Sequence, residues 1–260
     1  MIQLSACIEM LFAETPDFYG RFAAAAAAGA KTVEFWNWTG KDLPRIRTLL
    51  EENNLSLAAF CVSGENAEFN EKRLMYREAI PAFIEVCKAS IEKAKALHCP
   101  SLIITCGNER NDIPRAEQHT NIVLALRAAA PLFEKAGVTL VLEPLNILTN
   151  HRGYYLDSSY EAFAIIEEVG SPAVKLLFDV YHQQISSGNL IDTIRKFGHL
   201  VGHYHIADVP GRHEPGTGEI HYQKIFEAID ETGYTGYVGM EYRSLAPSAE
   251  SYAAVEALTR

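Results

Sequence analysis

Four ionisable residues stand at the ends of short apolar runs in the second half of the chain. They are Glu143, Asp179, His205 and Glu241, in the contexts Leu-Glu-Pro, Phe-Asp, Tyr-His-Ile and Met-Glu-Tyr. Two glutamates, one aspartate and one histidine offer oxygen and nitrogen ligands without a thiolate. This set suits Mn²⁺, Mg²⁺ or Co²⁺, and Zn²⁺ is left open. An ionisable group ending an apolar strand is costly unless it is paired or coordinated, so the four together favour one divalent metal site over separate ion pairs.

Two further polar residues follow these positions closely. His182 comes three residues after Asp179, on what we expect to be a loop beyond the strand. Arg212 follows His205 in a loop rich in Gly and Pro, residues 208–219, whose length suggests a shaped wall of the site. A pocket with three carboxylates needs a fixed cation besides the metal if its substrate is anionic, so we predict that His182 and Arg212 contact substrate. The alternatives are a core or capping histidine and a surface arginine.

Other residues near predicted strand ends are weaker candidates. Glu34, Phe35, Trp36 and Cys61 are expected to face the same mouth, although at least one of the two aromatic residues should be ordinary packing. Cys106 has no partner base that the sequence identifies, so we interpret it as a buried or incidental thiol rather than a nucleophile. Neither a GxxxxGK[ST] pattern nor a GxGxxG pattern after the first strand occurs, so no nucleotide cofactor is implied.

The elements that would position these residues alternate between short apolar runs and longer helical-period segments. Eight such units fit one closed parallel barrel, a single (β/α)8 TIM barrel that forms one domain over residues 1–260. Active sites of such barrels lie at the carboxyl ends of the strands, where the last four runs deliver the four ionisable residues. The predicted strands are Leu4–Ile8, Thr32–Phe35, Ser56–Phe60, Ser101–Thr105, Thr139–Glu143, Val174–Asp179, Leu200–Ile206 and Tyr237–Glu241.

The intervening helices are predicted from their periodicity and their start and stop signals. The first should open with Thr15-Pro16-Asp17 and stop at Gly29, while Glu71–Leu97 is long enough for one helix or two. The predicted helices are Thr15–Gly29, Leu43–Asn53, Glu71–Leu97, Arg115–Ala136, Ser158–Val169, Leu190–Phe197, Tyr222–Thr232 and Ser248–Leu258.

Composition excludes several classes of function. With 48% hydrophobic and 22% charged residues in 260, the chain should fold around a sizeable core. A formal net charge of -10 and the lack of a Lys/Arg-rich segment oppose nucleic acid and membrane surfaces as partners. The five scattered cysteines without a CxxC pair argue against a disulfide framework and a structural zinc site. No signal-peptide pattern or run of about 18 apolar residues is present, so we expect a cytoplasmic protein.

Four motifs together resemble the hydroxypyruvate isomerase family, within the wider xylose isomerase-like barrel superfamily. The superfamily also holds ketose 3-epimerases, inosose dehydratases and zinc AP endonucleases. The resemblance covers nearly the whole chain and is densest over residues 141–243. The motifs are Leu142–Asn146 (LEPLN), Asp179–Gln183 (DVYHQ), His203–Glu219, which ends in EPGTGE, and Gly239–Tyr242 (GMEY).

The resemblance implies a role for each matching residue. Glu143, Asp179, His205 and Glu241 match the metal ligands, and the two glutamates also match the acid/base pair. His182 and Arg212 match substrate-contacting positions. Two departures stand out: the third ligand of hydroxypyruvate isomerases is Gln, whereas His205 matches the ketose 3-epimerases, and Thr149 replaces a usual acidic residue.

The implied chemistry is removal of a proton beside a carbonyl group, with the metal stabilising an enediolate and the two glutamates transferring the proton. Return of the proton to the neighbouring carbon isomerises, and return to the opposite face of the same carbon epimerises. We expect a small hydroxy-keto acid or ketose as partner, with conversion of hydroxypyruvate to tartronate semialdehyde favoured. A ketose 3-epimerase and a non-catalytic sugar-binding barrel stay open, as does a homo-oligomer, whereas the net charge opposes a DNA-directed AP endonuclease.

Overall fold

The computed structural model describes residues 2–259 and contains one sheet of nine parallel strands. All pairings between neighbouring strands are parallel, and each strand connects to the next through helical segments except at one break. The predicted TIM barrel is therefore confirmed. The strands are β1 (Gln3–Cys7), β2 (Thr32–Glu34), β3 (Ser56–Leu57), β4 (Ala59–Cys61), β5 (Ser101–Ile104), β6 (Thr139–Leu142), β7 (Val174–Asp179), β8 (Val201–Ile206) and β9 (Tyr237–Met240).

The barrel closes where the third predicted strand changes partner. β3 pairs with β2, while β4 pairs with β5, and only Ala58 separates the two strands. β3 and β4 are also the two ends of the hydrogen-bonded strand order, β3-β2-β1-β9-β8-β7-β6-β5-β4. The nine strands therefore occupy the eight strand positions of a TIM barrel, because β3 and β4 share one position and are separated by a single residue.

The helices lie between successive strands, with their bounds close to the predicted ones in most cases. Six of the ten α-helices begin and end within one residue of the prediction, which reflects clear periodicity and stop signals such as Gly137 after α5. The helices are α1 (Gly20–Ala27), α2 (Leu43–Glu52), α3 (Ala67–Lys72), α4 (Ile80–Ala96), α5 (Arg115–Ala136), α6 (Ser159–Val169), α7 (Val180–Ser186), α8 (Leu190–Phe197), α9 (Tyr222–Glu231) and α10 (Ser248–Leu258).

Two helical predictions need correction, and the choice between one helix and two over Glu71–Leu97 is decided for two. The first helix begins at Gly20 rather than Thr15, because turns occupy the preceding backbone and the N–H of Thr15 donates to the carbonyl of Phe12. The segment Glu71–Leu97 is divided between α3 and α4, since Arg73 takes a positive φ of 51° and ends α3. His182 lies in α7 rather than on a loop, because the Asp179 side chain caps this helix immediately after β7.

Two apolar regions hold the barrel together. The larger one packs the buried faces of the helices against the outer face of the sheet, as expected for parallel strands buried on both sides. A small cluster of Ala59, Ile103, Val141 and Leu177 fills the barrel interior, with Cys61 packed against it. The carboxyl ends of the strands thus lie above a packed barrel interior. Within residues 2–259, no helix is both long and apolar enough to cross a membrane.

Candidate metal centre

The structure brings Glu143, Asp179, His205 and Glu241 together at the carboxyl ends of β6, β7, β8 and β9. One ligand atom from each lies within 4.8 Å of the others, and all four residues are buried. Backbone hydrogen bonds between neighbouring strands position the two glutamates. The N–H of Glu143 donates to the carbonyl of Ile104 at 3.0 Å, and the N–H of Glu241 donates to that of Ile206 at 3.2 Å. Each glutamate therefore begins its loop while its backbone is still held by the neighbouring strand.

His205 lies at the centre of the carboxylates. Its Nδ1 is 3.3 Å from Glu241 Oε2 and 3.6 Å from Glu143 Oε1, yet it is buried and makes no hydrogen bond within the described chain. Burial alone disfavours a charged imidazole, but the carboxylates of Glu241 and Glu34 outweigh it and raise the pKa of His205 well above its usual range. The electrostatics of the cluster thus strongly favour a positive charge at this point.

A second buried carboxylate lies beneath His205. Glu34, at the end of β2, places Oε1 2.9 Å from His205 Nε2, and its Oε2 lies 3.1 Å from His203 Nε2 in a hydrogen bond. Burial opposes ionisation of Glu34, but His205 and His203 lower its pKa to about 2. Gly239 makes room for this contact, since a Cβ there would lie 2.6 Å from His205 Cδ2. A carboxylate on Nε2 favours the tautomer that leaves the Nδ1 lone pair free for a cation.

The two glutamates of the centre differ in their surroundings. Burial raises the pKa of Glu143 to about 7, and the charges of Glu241 and Asp179 add to this effect although His205 opposes it. Burial acts on Glu241 in the same direction, but His205 and Arg212 outweigh it and hold the pKa well below its usual range. Glu241 also accepts a hydrogen bond from Trp36 Nε1 at 2.7 Å. Without substrate, Glu241 is therefore a carboxylate that can accept a proton, whereas Glu143 is suited to exchanging a proton near neutral pH.

Arg212 reaches the centre from the loop after β8. Its guanidinium donates to Glu241 Oε2 and lies 3.8 Å from Asp179 Oδ2 and 5.2 Å from the Tyr181 ring centroid. Although burial opposes the charge, the carboxylates, led by that of Glu241, raise the pKa of Arg212 above its usual range. The cation is thus permanent and already paired.

Asp208 organises the loop that delivers Arg212. Its buried carboxylate accepts backbone N–H groups from Val209, Gly216 and Ile220 at 2.9, 2.8 and 3.1 Å. The carbonyl of Asp208 also accepts the N–H of Arg212, which has a positive φ of 58°. The loop predicted as a wall of the site is therefore organised around one buried carboxylate.

His182 is buried beside Asp179 with a defined tautomer. Its Nδ1 accepts the backbone N–H of Asn146 at 3.2 Å and lies 2.7 Å from the Asn146 side-chain nitrogen. Since a backbone N–H can only donate, Nδ1 carries no proton and Nε2 does. Burial lowers the pKa of His182 to about 4, although Asp179 opposes this, so the ring is neutral. Nε2 makes no hydrogen bond within residues 2–259 and lies 3.6 Å from Asp179 Oδ2, which leaves an N–H donor at the centre.

The weaker sequence candidates separate into different environments. Trp36 contacts the centre through Glu241, while Phe35 is packed in the core, stacked on Phe60 with centroids 5.5 Å apart. Cys61, expected at the mouth, packs against the apolar cluster of the barrel interior. Cys106 is fully buried, and burial raises the pKa of its thiol to about 12, so it is not a nucleophile at neutral pH.

Sequence reasoning missed three residues that support the centre. His203, Asn146 and Asp208 are buried polar groups that orient Glu34, His182 and the Arg212 loop. His203 alternates with His205 along β8, and two histidines on one face of a buried strand were the available signal. Asn146 and Asp208 lie three residues after Glu143 and His205, where only the folded loop shows their partners.

Comparison with known proteins identifies the family. The sequence profile of the xylose isomerase-like TIM barrel family matches residues 22–259. The chain belongs to this family. It is 32% identical in sequence to the hydroxypyruvate isomerase of Escherichia coli (strain K12), and the alignment covers 94% of each chain.

Two further relatives extend the comparison. The chain is 33% identical to the 2-oxo-tetronate isomerase of Pectobacterium atrosepticum over 93% of its own length and 92% of the relative's. A crystal structure of AP endonuclease, family 2 from Brucella melitensis is 29% identical, with a TM-score of 0.91 over 99% of each chain. The resemblance to the hydroxypyruvate isomerases is therefore confirmed, and these full-length relatives support an enzyme of the isomerase class.

Proposed function

We propose that this xylose isomerase-like barrel is a divalent-metal-dependent isomerase that interconverts hydroxypyruvate and tartronate semialdehyde through an enediolate. The observation that carries the proposal is the convergence of Glu143, Asp179, His205 and Glu241 within 4.8 Å at the mouth of the barrel. Full-length similarity to hydroxypyruvate and 2-oxo-tetronate isomerases supports the reaction type.

The residues present fit a divalent cation. Both ring nitrogens of His205 are buried without a well-aligned hydrogen bond in the described chain; Nδ1 lies between two carboxylates, and Nε2 lies 2.9 Å from Glu34 Oε1. Three carboxylates and one imidazole without a thiolate suit Mn²⁺, Mg²⁺ or Co²⁺, and also accommodate Zn²⁺. When bound, such an ion supplies a Lewis acid that stabilises the negative charge of an enediolate.

The side chains of the centre account for the proton transfers. In hydroxypyruvate, a glutamate removes a proton from C3, the hydroxyl-bearing carbon; the C3–H electron pair forms the C2–C3 double bond of the enediolate, and the π pair of the C2 carbonyl moves to the C2 oxygen. A proton is then delivered to C2, and the C3 hydroxyl proton is transferred to the C2 oxygen, so that C2 carries the hydroxyl group and the C3 oxygen becomes the aldehyde oxygen. Glu143, whose pKa is raised to about 7, and Glu241 supply the pair of acid/base groups. The Nε2–H of His182 is positioned to donate to a substrate oxygen.

A ketose 3-epimerase is the second candidate, and His205 favours it because ketose 3-epimerases carry His at this ligand position. The same carboxylates would remove a proton from C3 of a neutral ketose and return one to the opposite face. A role on DNA is disfavoured, since the formal net charge is -10.

Solvent exchange distinguishes these functions in one experiment. The protein loaded with Mn²⁺ or Mg²⁺ is incubated in D₂O with hydroxypyruvate, 2-oxo-tetronate, fructose and tagatose, and the products are followed by NMR. We expect deuterium in the isomerised acid and little in the ketoses. Exchange confined to the ketoses would instead indicate an epimerase, and binding without any exchange would indicate a non-catalytic sugar-binding barrel.

A further inference from the structure

Arg73 is a cation at the barrel mouth that the proposed reaction has not yet used. It follows α3, and its guanidinium donates to the carbonyl and the hydroxyl of Thr105 at 3.0 and 2.7 Å. Thr105 directly follows Ile104, the residue whose carbonyl accepts the N–H of Glu143. Arg73 is therefore held at the carboxyl end of β5, beside the strand that carries Glu143.

Cys61 links Arg73 to the metal centre electrostatically. Burial raises the pKa of the Cys61 thiol, the carboxylates of Glu143 and Glu241 raise it further, and the guanidinium of Arg73 opposes them. The thiol also packs against the apolar cluster that fills the barrel interior. The charges of Arg73 and Glu143 are thus both near enough to Cys61 to affect its thiol, in opposite directions.

Arg73 has no carboxylate partner. Within residues 2–259 it forms no ion pair, and its guanidinium carbon lies 4.5 Å from the centroid of the Phe69 ring. Burial lowers the pKa of Arg73, and the groups that oppose this are the uncharged Tyr154, Cys106 and Cys61. A half-buried cation without a counter-ion would be stabilised by a bound anion.

The charge balance at the mouth distinguishes Arg73 from Arg212. Arg212 is engaged by Glu241 and Asp179, and with Glu34 the centre holds four carboxylates, so Arg212 and a divalent ion leave no positive charge to spare. A substrate carboxylate adds one negative charge that this arrangement does not match. Arg73 supplies the missing positive charge, and its planar guanidinium suits a carboxylate.

We infer that Arg73 binds the carboxylate of an anionic hydroxy-keto substrate, and that this contact selects acids over neutral ketoses. The inference rests on the proposed isomerase function and names its substrate class. The backbone of Arg73, with φ 51° and ψ -138°, adopts a conformation that glycine ordinarily occupies, so the side chain is present despite an unfavourable backbone.

A matched pair of substrates tests the inference. Hydroxypyruvate and dihydroxyacetone differ only in a carboxylate against a hydroxymethyl group. In the metal-loaded Arg73→Gln variant we expect KM for hydroxypyruvate to rise about 10- to 100-fold with kcat little changed, because a charge-assisted contact is lost. The values for dihydroxyacetone should stay within about twofold, and Arg73→Lys should recover part of the loss.

Arg21→Gln is the matched control variant. Arg21 is also half-buried and donates to backbone carbonyls, those of Thr15 and Ile8 at 3.0 and 2.9 Å. This variant should leave both KM values unchanged, and the Tm of every variant shows whether it is folded.

Titration calorimetry with glycolate, a hydroxy acid without a reactive carbonyl, gives a second reading that does not depend on turnover. We expect Arg73→Gln to weaken glycolate binding at least 10-fold. An unchanged Kd for glycolate, or equal losses on hydroxypyruvate and dihydroxyacetone, would overturn the role of Arg73. A wild-type protein that binds glycolate through Arg73 but converts no acid would contradict the proposed function alone.

Discussion

The two halves of the barrel mouth carry different kinds of side chain. On β6–β9 the strand ends supply three carboxylates and a histidine, each at most 7% exposed, and each engaged by a neighbouring charge or hydrogen bond. On β2–β5 the corresponding positions carry Trp36, Cys61 and Thr105, which are partly open, with Arg73 behind them; the buried carboxylate of Glu34 at the end of β2 contacts the histidines of β8. The β6–β9 half holds most of the charged groups, which pair with one another. The β2–β5 half offers exposed surface and the Arg73 cation to the part of a substrate that does not react.

The two arginines make the same contrast on a smaller scale. Both have a positive φ, 51° for Arg73 and 58° for Arg212, and the conformation of Arg73 costs about 1–3 kcal/mol for a residue other than glycine. Arg212 is held by a loop wound around Asp208 and pairs with carboxylates, whereas Arg73 donates to Thr105 and pairs with none. The comparison suggests that Arg212 maintains the reacting half and Arg73 recognises substrate.

The largest expected effect is loss of either acid/base carboxylate. Glu143→Gln and Glu241→Gln should each lower kcat by about 10³-fold, because an amide cannot accept and return the proton. Turnover of hydroxypyruvate measures this, with circular dichroism and Tm to verify the fold. Glu231→Gln, which alters an exposed glutamate paired with Arg195, is the control. Activity near wild type in either variant would contradict the two-carboxylate mechanism.

Removal of Arg212 tests whether the halves have separate roles. In Arg212→Ala the carboxylate of Glu241 loses its paired cation, so kcat should fall about 10- to 100-fold on hydroxypyruvate and dihydroxyacetone alike. Steady-state kinetics on both compounds gives the answer. A rise in KM confined to the acid would mean that Arg212, and not Arg73, binds the substrate carboxylate.

Glu34 is expected to act on metal binding rather than on substrate. Glu34→Gln removes the carboxylate that holds His205 Nε2, so the Kd for Mn²⁺ should rise about 10- to 100-fold. Titration calorimetry with Mn²⁺ measures this, and Arg73→Gln, which lies outside the cluster, should keep the wild-type Kd. If the wild-type protein bound two equivalents of Mn²⁺ and Glu34→Gln bound only one, Glu34, His203 and His205 would instead hold a separate ion.

Cys61 gives the smallest expected effect. Because burial raises the pKa of its thiol, the thiolate is not populated at neutral pH, and Cys61→Ser should keep kcat/KM within about twofold. Kinetics with hydroxypyruvate tests this. A loss comparable to that of Glu143→Gln would assign Cys61 to the reaction and remove the distinction between the two halves.

Much of the fold follows from local patterns. The alternation of apolar runs and helical periods predicts the eight strand positions of the barrel. The predicted bounds of α5, α8 and α10 agree with the structure because their residues carry clear periodicity and stop signals. The start of α1 and the break after α3 differ because turns, and a positive φ at Arg73, replace helical backbone that the residue types would allow.

The sequence by itself determined which ionisable residues end the last four strand positions, since each follows a buried apolar run and strand ends of a barrel meet at one edge. Only the tertiary structure decided their partners. Glu34 and His203 are 169 residues apart, and they meet because the barrel closes. Arg73 lies in a segment read as helix, and its lack of a counter-ion is a property of the folded mouth. Charge balance depends on distances in space, which residue types and spacing do not encode.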